Sequence, residues 1–393
     1  MLKPKILLQF ICLIVMINAQ SKGWTPELSI NINQISDLTF SNSDKVAMVV
    51  RHAIIEGEKS EYLNQIWLSN TKTNKIRQFT YNEKSSTHPR FSPDGNYLAF
   101  LSARTEKTQI WLMQVDGGEA WQFSHEKQGV GSFKWSPDGD NIAFLMTDPK
   151  SEQEEKDERE KRDVILVDQN FKYSHLYLKS FSTYKDTSKA TRITEGDFHI
   201  TDFNWNPNNK TIVFTHTIEP TINSQFVSGD ISVVNLKSKT VKDIVTWEGK
   251  DENPIFTPNG KSIVFTSDGG KIEPIGLSDT YKISSNGGKP KKLAETPNRD
   301  ARIISVSADN NYVFVADANR TKSEVYKISL NSNNISPTLN LNGRISSPKL
   351  SDDGKKIVFV KQELDKPSEV FISRLNTINP KQISNFNPTK GFP

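Results

Sequence analysis

The chain has 393 residues, enough for one large all-β domain or two ordinary domains. Its formal net charge is +4, and Lys3 and Lys5 supply two of these charges, so the rest of the chain is almost neutral overall. No basic stripe alternates with aromatic residues as a nucleic-acid groove requires, and we expect no nucleic-acid partner.

Residues 1–19 have the layout of a secretory signal peptide. Lys3 and Lys5 precede an apolar run from Ile6 to Ile17, and Ala19 is a small residue suited to cleavage. The run is short for a bilayer span, so an uncleaved anchor is the less favoured alternative, and we expect no stable membrane anchor after cleavage. The single cysteine, Cys12, lies in this run, which leaves the mature chain without disulfides. We therefore predict a periplasmic or secreted protein.

Residues 20–36 form an N-terminal segment in which a short helix is predicted. In Trp24-Thr25-Pro26-Glu27, Thr25 suits a helix N-cap and Pro26 the first helical position. The simplest role for this helix is to cover the first structural unit that follows it.

A turn motif then recurs through the chain. The stretch HPRFSPDGNYLAFLS (88–102) is almost repeated in SFKWSPDGDNIAFLM (132–146), and five more copies can be aligned on the residue before the turn. A period of 40 to 50 residues is typical of a repeat architecture. The spacings between the seven aligned residues are 51, 44, 70, 51, 50 and 44, and the residues are Phe40, Phe91, Trp135, Trp205, Phe256, Val306 and Leu350.

Each copy predicts a four-stranded antiparallel meander. The repeated turn links two strands, and a second hairpin follows, as in TQIWLMQVDGGEAWQFS (108–124) and SDTYKISSNGGKPKKLAE (278–295). The strands after the turn, such as 98–101 and 212–214, are apolar on both faces and must be covered on both sides. We therefore predict an all-β fold, a seven-bladed β-propeller of four-stranded antiparallel blades over residues 37–386, with a C-terminal tail at 387–393. An open sandwich or a β-solenoid is the alternative.

Two features depart from the regular repeat. A charged insert at residues 148–173 lengthens the third unit, and its part from Ser151 to Arg162 has helix formers but no apolar face, which favours a solvated loop or short helix over a partner-docking element. Because every blade finds its four strands in its own segment, we expect the ring to close by packing between blades 1 and 7 alone. This joint is then expected to be the weakest in the ring.

No residue of the sequence stands out as catalytic. The chain contains no Gly-x-Ser-x-Gly nucleophile elbow, and its six histidines lack metal-ligand spacing, so we assign no catalytic, cofactor-binding or metal-binding residue and leave the substrate-binding residues open. The Asp-Gly turns offer one carboxylate each and do not fit a calcium loop. Arg51 and Arg104 follow inner strands, where they face either the channel or, as the simpler alternative, a salt bridge.

The sequence resembles the N-terminal propeller of prolyl oligopeptidase family serine peptidases, especially the acylaminoacyl-peptidase and dipeptidyl-peptidase-like branch. The matching segments are WTPELSINI and ISDLTFS (24–41), HPRFSPDGNYLAFLSART (88–105), and FKWSPDGDNIAFL with the charged insert and VILVDQNFKYSHLYL. The resemblance covers about residues 22–390. It implies a propeller that restricts peptide entry to a C-terminal α/β-hydrolase domain, near which the opening helix would lie.

This resemblance sets the expected function. We expect the substrate-gating propeller of an exported serine peptidase, with peptides and a C-terminal or separately encoded α/β-hydrolase domain as partners, no cofactor, and no hydrolysis by the propeller itself. No match is found to the paired glutamates that bind the substrate amino terminus in some family members. The alternatives are a freestanding periplasmic Tol-like binding or scaffold propeller, and a propeller lyase or glycosidase with its site in the channel.

Overall fold

The computed structural model describes residues 25–41, 44–162, 169–181, 188–272 and 277–387. The predicted signal peptide and Cys12 therefore lie outside the described residues, as do most of the predicted tail and part of the charged insert. Three short helices are present in the described chain: α1 (Pro26–Ile30), α2 (Glu152–Arg159) and α3 (Ile222–Val227). None of them is long and apolar enough to cross a membrane.

The strands of the described chain form seven four-stranded antiparallel sheets, which confirms the predicted seven-bladed propeller. The strands of blades 1 to 3 are β1 (Gln34–Phe40), β2 (Lys45–Glu56), β3 (Lys59–Asn70), β4 (Ile76–Gln78), β5 (Ser86–Phe91), β6 (Tyr97–Ser102), β7 (Gln109–Gln114), β8 (Trp121–Gln122), β9 (Phe133–Trp135), β10 (Asn141–Thr147), β11 (Ser174–Ser180) and β12 (Thr191–Arg192). Those of blades 4 and 5 are β13 (His199–Trp205), β14 (Thr211–Thr217), β15 (Asp230–Asn235), β16 (Val241–Val245), β17 (Asp251–Phe256), β18 (Ser262–Ser267), β19 (Asp279–Ser284) and β20 (Lys291–Lys292). Those of blades 6 and 7 are β21 (Arg302–Val306), β22 (Tyr312–Asn319), β23 (Lys322–Ser329), β24 (Ile335–Asn340), β25 (Arg344–Leu350), β26 (Lys356–Glu363), β27 (Lys366–Arg374) and β28 (Lys381–Gln382).

The side chains of the repeated turn hold it in shape. Ser92 Oγ donates to Asp94 Oδ1 (2.5 Å) and accepts from the backbone N–H of Tyr97 (3.0 Å), while Asp94 Oδ1 also accepts from the N–H of Asn96 (3.0 Å). Because Ser and Asp side chains satisfy local backbone groups in this way, they fix the tight link between two strands. Four other turns contain the same arrangement, and their leading residues are Ser136, Thr257, Ser307 and Ser351.

The core lies between the blades. The second strands are buried on both faces, and five of them contribute a fully buried phenylalanine, namely Phe100, Phe144, Phe214, Phe265 and Phe359. The buried residues of the described chain form seven hydrophobic clusters, each of which joins one pair of adjacent blades. A sheet that needs a neighbour on each side is satisfied in this way around a closed ring.

Blades 1 and 7 pack against each other, as expected. The expectation that packing alone closes the ring is wrong, because hydrogen bonds and an ion pair also join the two blades. The N–H of Asn33 donates to Asn387 Oδ1 (2.7 Å), and Asn387 Nδ2 donates back to the carbonyl of Asn33 (3.0 Å). Asn33 Nδ2 also donates to the carbonyl of Phe386 (2.9 Å), and Lys356 forms an ion pair with Asp44. The sequence pattern could not reveal these contacts because they join residues at opposite ends of the ring segment.

The topology defines two faces of the ring. First strands of adjacent blades contact one another, as β1 does with β5 and β25, so they surround the central channel. Since neighbouring strands alternate in direction, the second and fourth strands end at the face where the first strands begin. We call this the entry face, and the opposite face, which contains the repeated turns, the turn face. The entry face contains the connections with α2 and α3, the predicted helix α1, and Asn387, the last residue that the structure describes.

Candidate functional site: the channel and the entry face

Irregular first strands shape the channel wall. In blades 1, 2, 5 and 7 the residue three positions before the aligned anchor has a positive φ, of 47° at Asp37, 56° at His88, 54° at Asn253 and 50° at Ser347. The strand register shifts at the same place in each of these blades. Such bulges bend a strand and redirect its side chains. The sequence contains a signal for three of these bulges, because the residue after the positive-φ position is a proline, which cannot donate a hydrogen bond to the strand ladder.

A set of polar side chains from the first strands of five blades occupies the channel. We call it the channel ring, and it consists of Asp37, Arg90, Lys134, Asp202, Asn204 and Lys349. The sequence did not identify these residues as a group, because their positions are separated by up to about three hundred residues and only ring closure brings them together.

Blades 1 and 2 are linked by the first ion pair of the channel ring. Arg90 Nη1 lies 2.8 Å from Asp37 Oδ1, and Arg90 Nη2 lies 3.3 Å from His88 Nδ1. Burial, and then the nearby guanidinium of Arg90, lower the pKa of His88 to about 4. His88 is therefore neutral at neutral pH, and its Nδ1 can accept a hydrogen bond from Arg90.

Blades 3, 4 and 5 are linked by a second set of contacts. Lys134 Nζ lies 2.9 Å from Asp202 Oδ1 and 3.0 Å from Asn204 Oδ1, and Asn204 Nδ2 donates to the carbonyl of Pro254 (2.8 Å). Two tryptophans at the aligned anchor positions also link neighbouring blades through hydrogen bonds. Trp135 Nε1 donates to the carbonyl of Arg90 (3.2 Å), and Trp205 Nε1 donates to the carbonyl of Lys134 (3.3 Å).

Lys349 of blade 7 differs from the other charged members of the channel ring. Desolvation, and then the positive charge of Arg90, lower the pKa of its ammonium group. Asp37, Lys134 and Asp202 also act on this pKa, which shows that charges of blades 1 to 4 converge on Lys349 across the channel. Within the described residues, Lys349 belongs to none of the ion pairs.

A cavity of about 530 Å³ opens beside Lys349 on the side of blades 6, 7 and 1. Its wall includes Arg302 and Arg344, which stand at the entry ends of β21 and β25, and Ser346 and Ser347 of the bulge. This volume lies within the range of small-ligand pockets.

The entry face carries the large exposed apolar side chains of the described residues. They lie in α1, α3, the connections at this face or the adjoining ends of β2 and β3: Leu28, Ile30, Ile55, Tyr62, Tyr81, Ile218, Ile222, Phe226, Ile272, Leu277 and Leu364. Leu364 is 99% exposed, Ile222 74% and Phe226 60%. Single exposed apolar residues are ordinary, but their restriction to one face marks a surface suited to a partner.

The charged insert also reaches this face. Its helix α2 begins with a capping box, in which Ser151 and Glu154 satisfy each other's backbone N–H groups, and it buries none of its residues. Glu154 pairs with Lys172 (2.7 Å) and Glu158 with Lys150 (2.8 Å). The helix is thus a capped, solvated element in the described part of the insert, as the charge pattern indicates.

Other residues considered from the sequence have structural surroundings. Arg51 stacks on Tyr62 at 3.9 Å, and Arg104 lies 5.1 Å from the ring centres of both Phe100 and Trp111. Neither arginine forms a salt bridge within the described residues, so aromatic stacking replaces the expected ion pair.

Three of the six histidines, His175, His199 and His216, come together near Phe198 in blades 3 and 4. His175 and His216 contact the Phe198 ring, and His199 Nδ1 accepts from the N–H of Ser174 (3.1 Å). Burial lowers the pKa of all three imidazoles, that of His175 to about 4. No group of three potential metal ligands occurs among the residues that the structure describes.

Comparisons with known proteins agree with this fold. A family model described as TolB beta propeller domain matches residues 39–175, which run from the end of β1 in blade 1 to the start of β11 in blade 3. A curated protein, the uncharacterized peptidase YuxL of Bacillus subtilis (strain 168), is 48% identical over 50 residues, which are 13% of this chain and 8% of that protein.

Solved structures of two kinds of enzyme share the propeller. The acylaminoacyl peptidase of Pyrococcus horikoshii aligns with a TM-score of 0.68 and 15% identity over 93% of this chain and 54% of its own. An oligogalacturonate lyase in complex with manganese aligns with a TM-score of 0.61 and 11% identity over 90% of this chain and 86% of its own. At these identities the likeness shows the fold alone. The chain thus spans about half the length of the peptidase structure and resembles its propeller region.

Proposed function

We propose that this chain is the substrate-gating propeller of an exported serine peptidase of the prolyl oligopeptidase type. The propeller admits short or flexible peptides through its channel, and an α/β-hydrolase partner performs the hydrolysis. That partner either continues the same polypeptide or is a separate chain. We also propose residues 1–19 as the signal peptide and the periplasm or exterior as the location.

The one-sided distribution of exposed apolar side chains carries this proposal. A partner that covers the entry face would bury Leu364, Phe226 and Ile222 and would stand over the mouth of the channel. Both ends of the ring segment, α1 and Asn387, lie at the same face, so a domain joined to either end would be placed there without a long linker. The resemblance to peptidase propellers supports the same partner.

A freestanding Tol-like binding propeller is the second candidate function. The match of the TolB beta propeller family model to residues 39–175 favours it. In this alternative, the apolar entry face would hold another protein and the channel would have no role in peptide passage.

Two measurements test the proposal. The purified propeller should show no turnover of acylaminoacyl peptides and no labelling by a fluorophosphonate, and serine-reactive turnover would contradict it. The genomic DNA beyond codon 393 should encode Gly-x-Ser-x-Gly in a predicted α/β-hydrolase segment, in frame or as a neighbouring gene. An unrelated gene there would support the binding propeller instead.

A further inference from the structure

The charges of the channel are unevenly balanced around the ring. On the side of blades 1 to 5, each cation has a partner, since Arg90 pairs with Asp37 at 2.8 Å and Lys134 with Asp202 at 2.9 Å. On the side of blades 6 and 7, Lys349 projects an ammonium group that takes part in none of the ion pairs of the described chain. Lys349 is exposed, so its ammonium group is open to a ligand that enters the channel.

The walls of the adjoining cavity carry charges of both signs. Arg302 and Arg344 are both exposed at the cavity mouth, and no ion pair of the described residues includes them. The cavity wall also contains three carboxylates, those of Asp37, Asp300 and Asp317. Asp37 pairs with Arg90, whereas Asp317 accepts the N–H of Ala318 (2.6 Å) and that of Asp300 (3.4 Å) and keeps its negative charge.

The carboxylate of Asp300 is the third acid of this cavity, and it lies near the mouth rather than in the channel ring. Asp300 does not balance the charge of Lys349. The acids that act most strongly on the pKa of Lys349 are Asp37 and Asp202, and both are already in ion pairs. At the rim the two arginines are matched in number by Asp300 and Asp317, so the cation left for an entering anion is Lys349.

The bulge of β25 makes room for such an anion. Ser347 has a positive φ of 50°, and the register shifts between Ser346 and Lys349, so the strand leaves the regular ladder where it faces the cavity. Ser346 and Ser347 line the same cavity. A carboxylate here could accept hydrogen bonds from an ammonium and from hydroxyl groups, which is the donor set that anions prefer.

We infer that blades 6 and 7 form a carboxylate-binding subsite of the channel, with Lys349 as its central cation and Arg302 and Arg344 at its mouth. The ligand is the carboxylate of a short peptide, and the subsite orients that peptide in the cavity of about 530 Å³. This inference rests on the proposed function, because it assumes that peptides enter the channel. The carboxylate can belong to the C-terminus or to an acidic side chain.

Fluorescence anisotropy with three dansyl-labelled peptides tests the subsite at low ionic strength. They are tetra-alanine with a free C-terminus, the same peptide as a C-terminal amide, and an amide with glutamate at its second position. The free acid should bind the wild-type chain at least tenfold more tightly than the tetra-alanine amide. Tighter binding of the glutamate amide as well would mean that the subsite also accepts side-chain carboxylates.

Variants connect this preference to Lys349. Lys349→Gln should lower the affinity for the free acid to that for the amide, while Lys349→Arg should keep most of the preference. Lys355→Gln is the matched control, because Lys355 is highly exposed at the turn face, and it should change nothing. Thermal unfolding of each variant checks the fold, and Lys349→Gln removes an unpaired charge, so it should melt at or above the wild-type temperature.

The outcomes separate the inference from the proposed function. Equal binding of all three peptides by the wild-type chain would overturn the subsite and leave the gating propeller standing. Equal loss of the preference in the Lys349→Gln and Lys355→Gln variants would also overturn it. Binding of none of the peptides would contradict the proposed function itself.

Discussion

Replacement of Asn387 by alanine should weaken the closure of the ring. The Asn387 side chain is 2% exposed and forms three hydrogen bonds, two with the backbone of Asn33 (2.7 and 3.0 Å) and one with the carbonyl of Ser368 (3.0 Å). The alanine variant leaves these partly buried backbone groups without a partner. At about 1 kcal/mol for each lost hydrogen bond, the free energy of unfolding should fall by about 2–4 kcal/mol.

Urea unfolding followed by tryptophan fluorescence measures this change. Asn331→Ala is the matched control, since Asn331 is exposed and its side chain donates to Asn311 at 3.2 Å, so its effect should stay within about 0.5 kcal/mol. Hydrogen exchange should also become faster in β1 and β27 than in the blades across the ring. Equal stability of the two variants would refute the view that Asn387 stabilises the joint between blades 1 and 7. Unchanged slow exchange in both β1 and β27 would refute the view that this joint is the weakest in the ring.

Three further predictions concern other parts of the ring. Gly343→Ala should lower the free energy of unfolding by about 2–4 kcal/mol, because φ at Gly343 is 93° and an added Cβ would overlap the carbonyl of Gln362. Gly354→Ala is the control and should lower it by about 1 kcal/mol, because φ is 66° and the added Cβ would meet open space. Chemical denaturation compares the two variants. Burial raises the pKa of Asp251 to about 7, so its contribution favours the folded state at low pH and is lost as pH rises from about 4 through 7. Asp251→Asn should therefore raise the free energy of unfolding at pH 8 by about 2–4 kcal/mol and leave it unchanged near pH 4, and a variant equally stable to wild type at both pH values would contradict this. Phe226→Asp should leave the melting temperature within about 2 °C of wild type, because its ring is 60% exposed, and a large loss would mean that α3 packs inward.

The architecture could be predicted from the sequence because each repeat encodes its own local structure. The turn after Phe91 is specified by Ser92 and Asp94, whose side chains bond to backbone groups a few residues away. The helix cap is equally local, since Thr25 Oγ1 accepts from the N–H of Leu28 at 3.2 Å. Interactions between near neighbours leave a recognisable pattern in one sequence.

The channel could not be predicted in the same way. Arg90 and Asp37 are 53 residues apart, and Lys134 and Asp202 are 68 apart. Their pairing depends on the rotation between blades and on bulges that redirect the first strands. The sequence contains the charges, but only the closed ring determines which of them face one another and which, such as Lys349, are left over.

The one-sided apolar surface was missed for a related reason. Ile55 lies at the end of β2, Ile222 in α3 and Leu364 in the connection after β26, and in the sequence these three positions are far apart. Strand direction places all three at the entry face, and this follows only when the strand order of every blade is known.

Photo-crosslinking of a bound peptide tests the gating propeller most directly. A short peptide that carries benzoylphenylalanine is bound to the purified chain, irradiated, and its attachment sites are identified by mass spectrometry. The account predicts attachment in the first strands around the channel, above all in β5 (Ser86–Phe91) and β25 (Arg344–Leu350). Attachment confined to outer strands or to the turn face would contradict it.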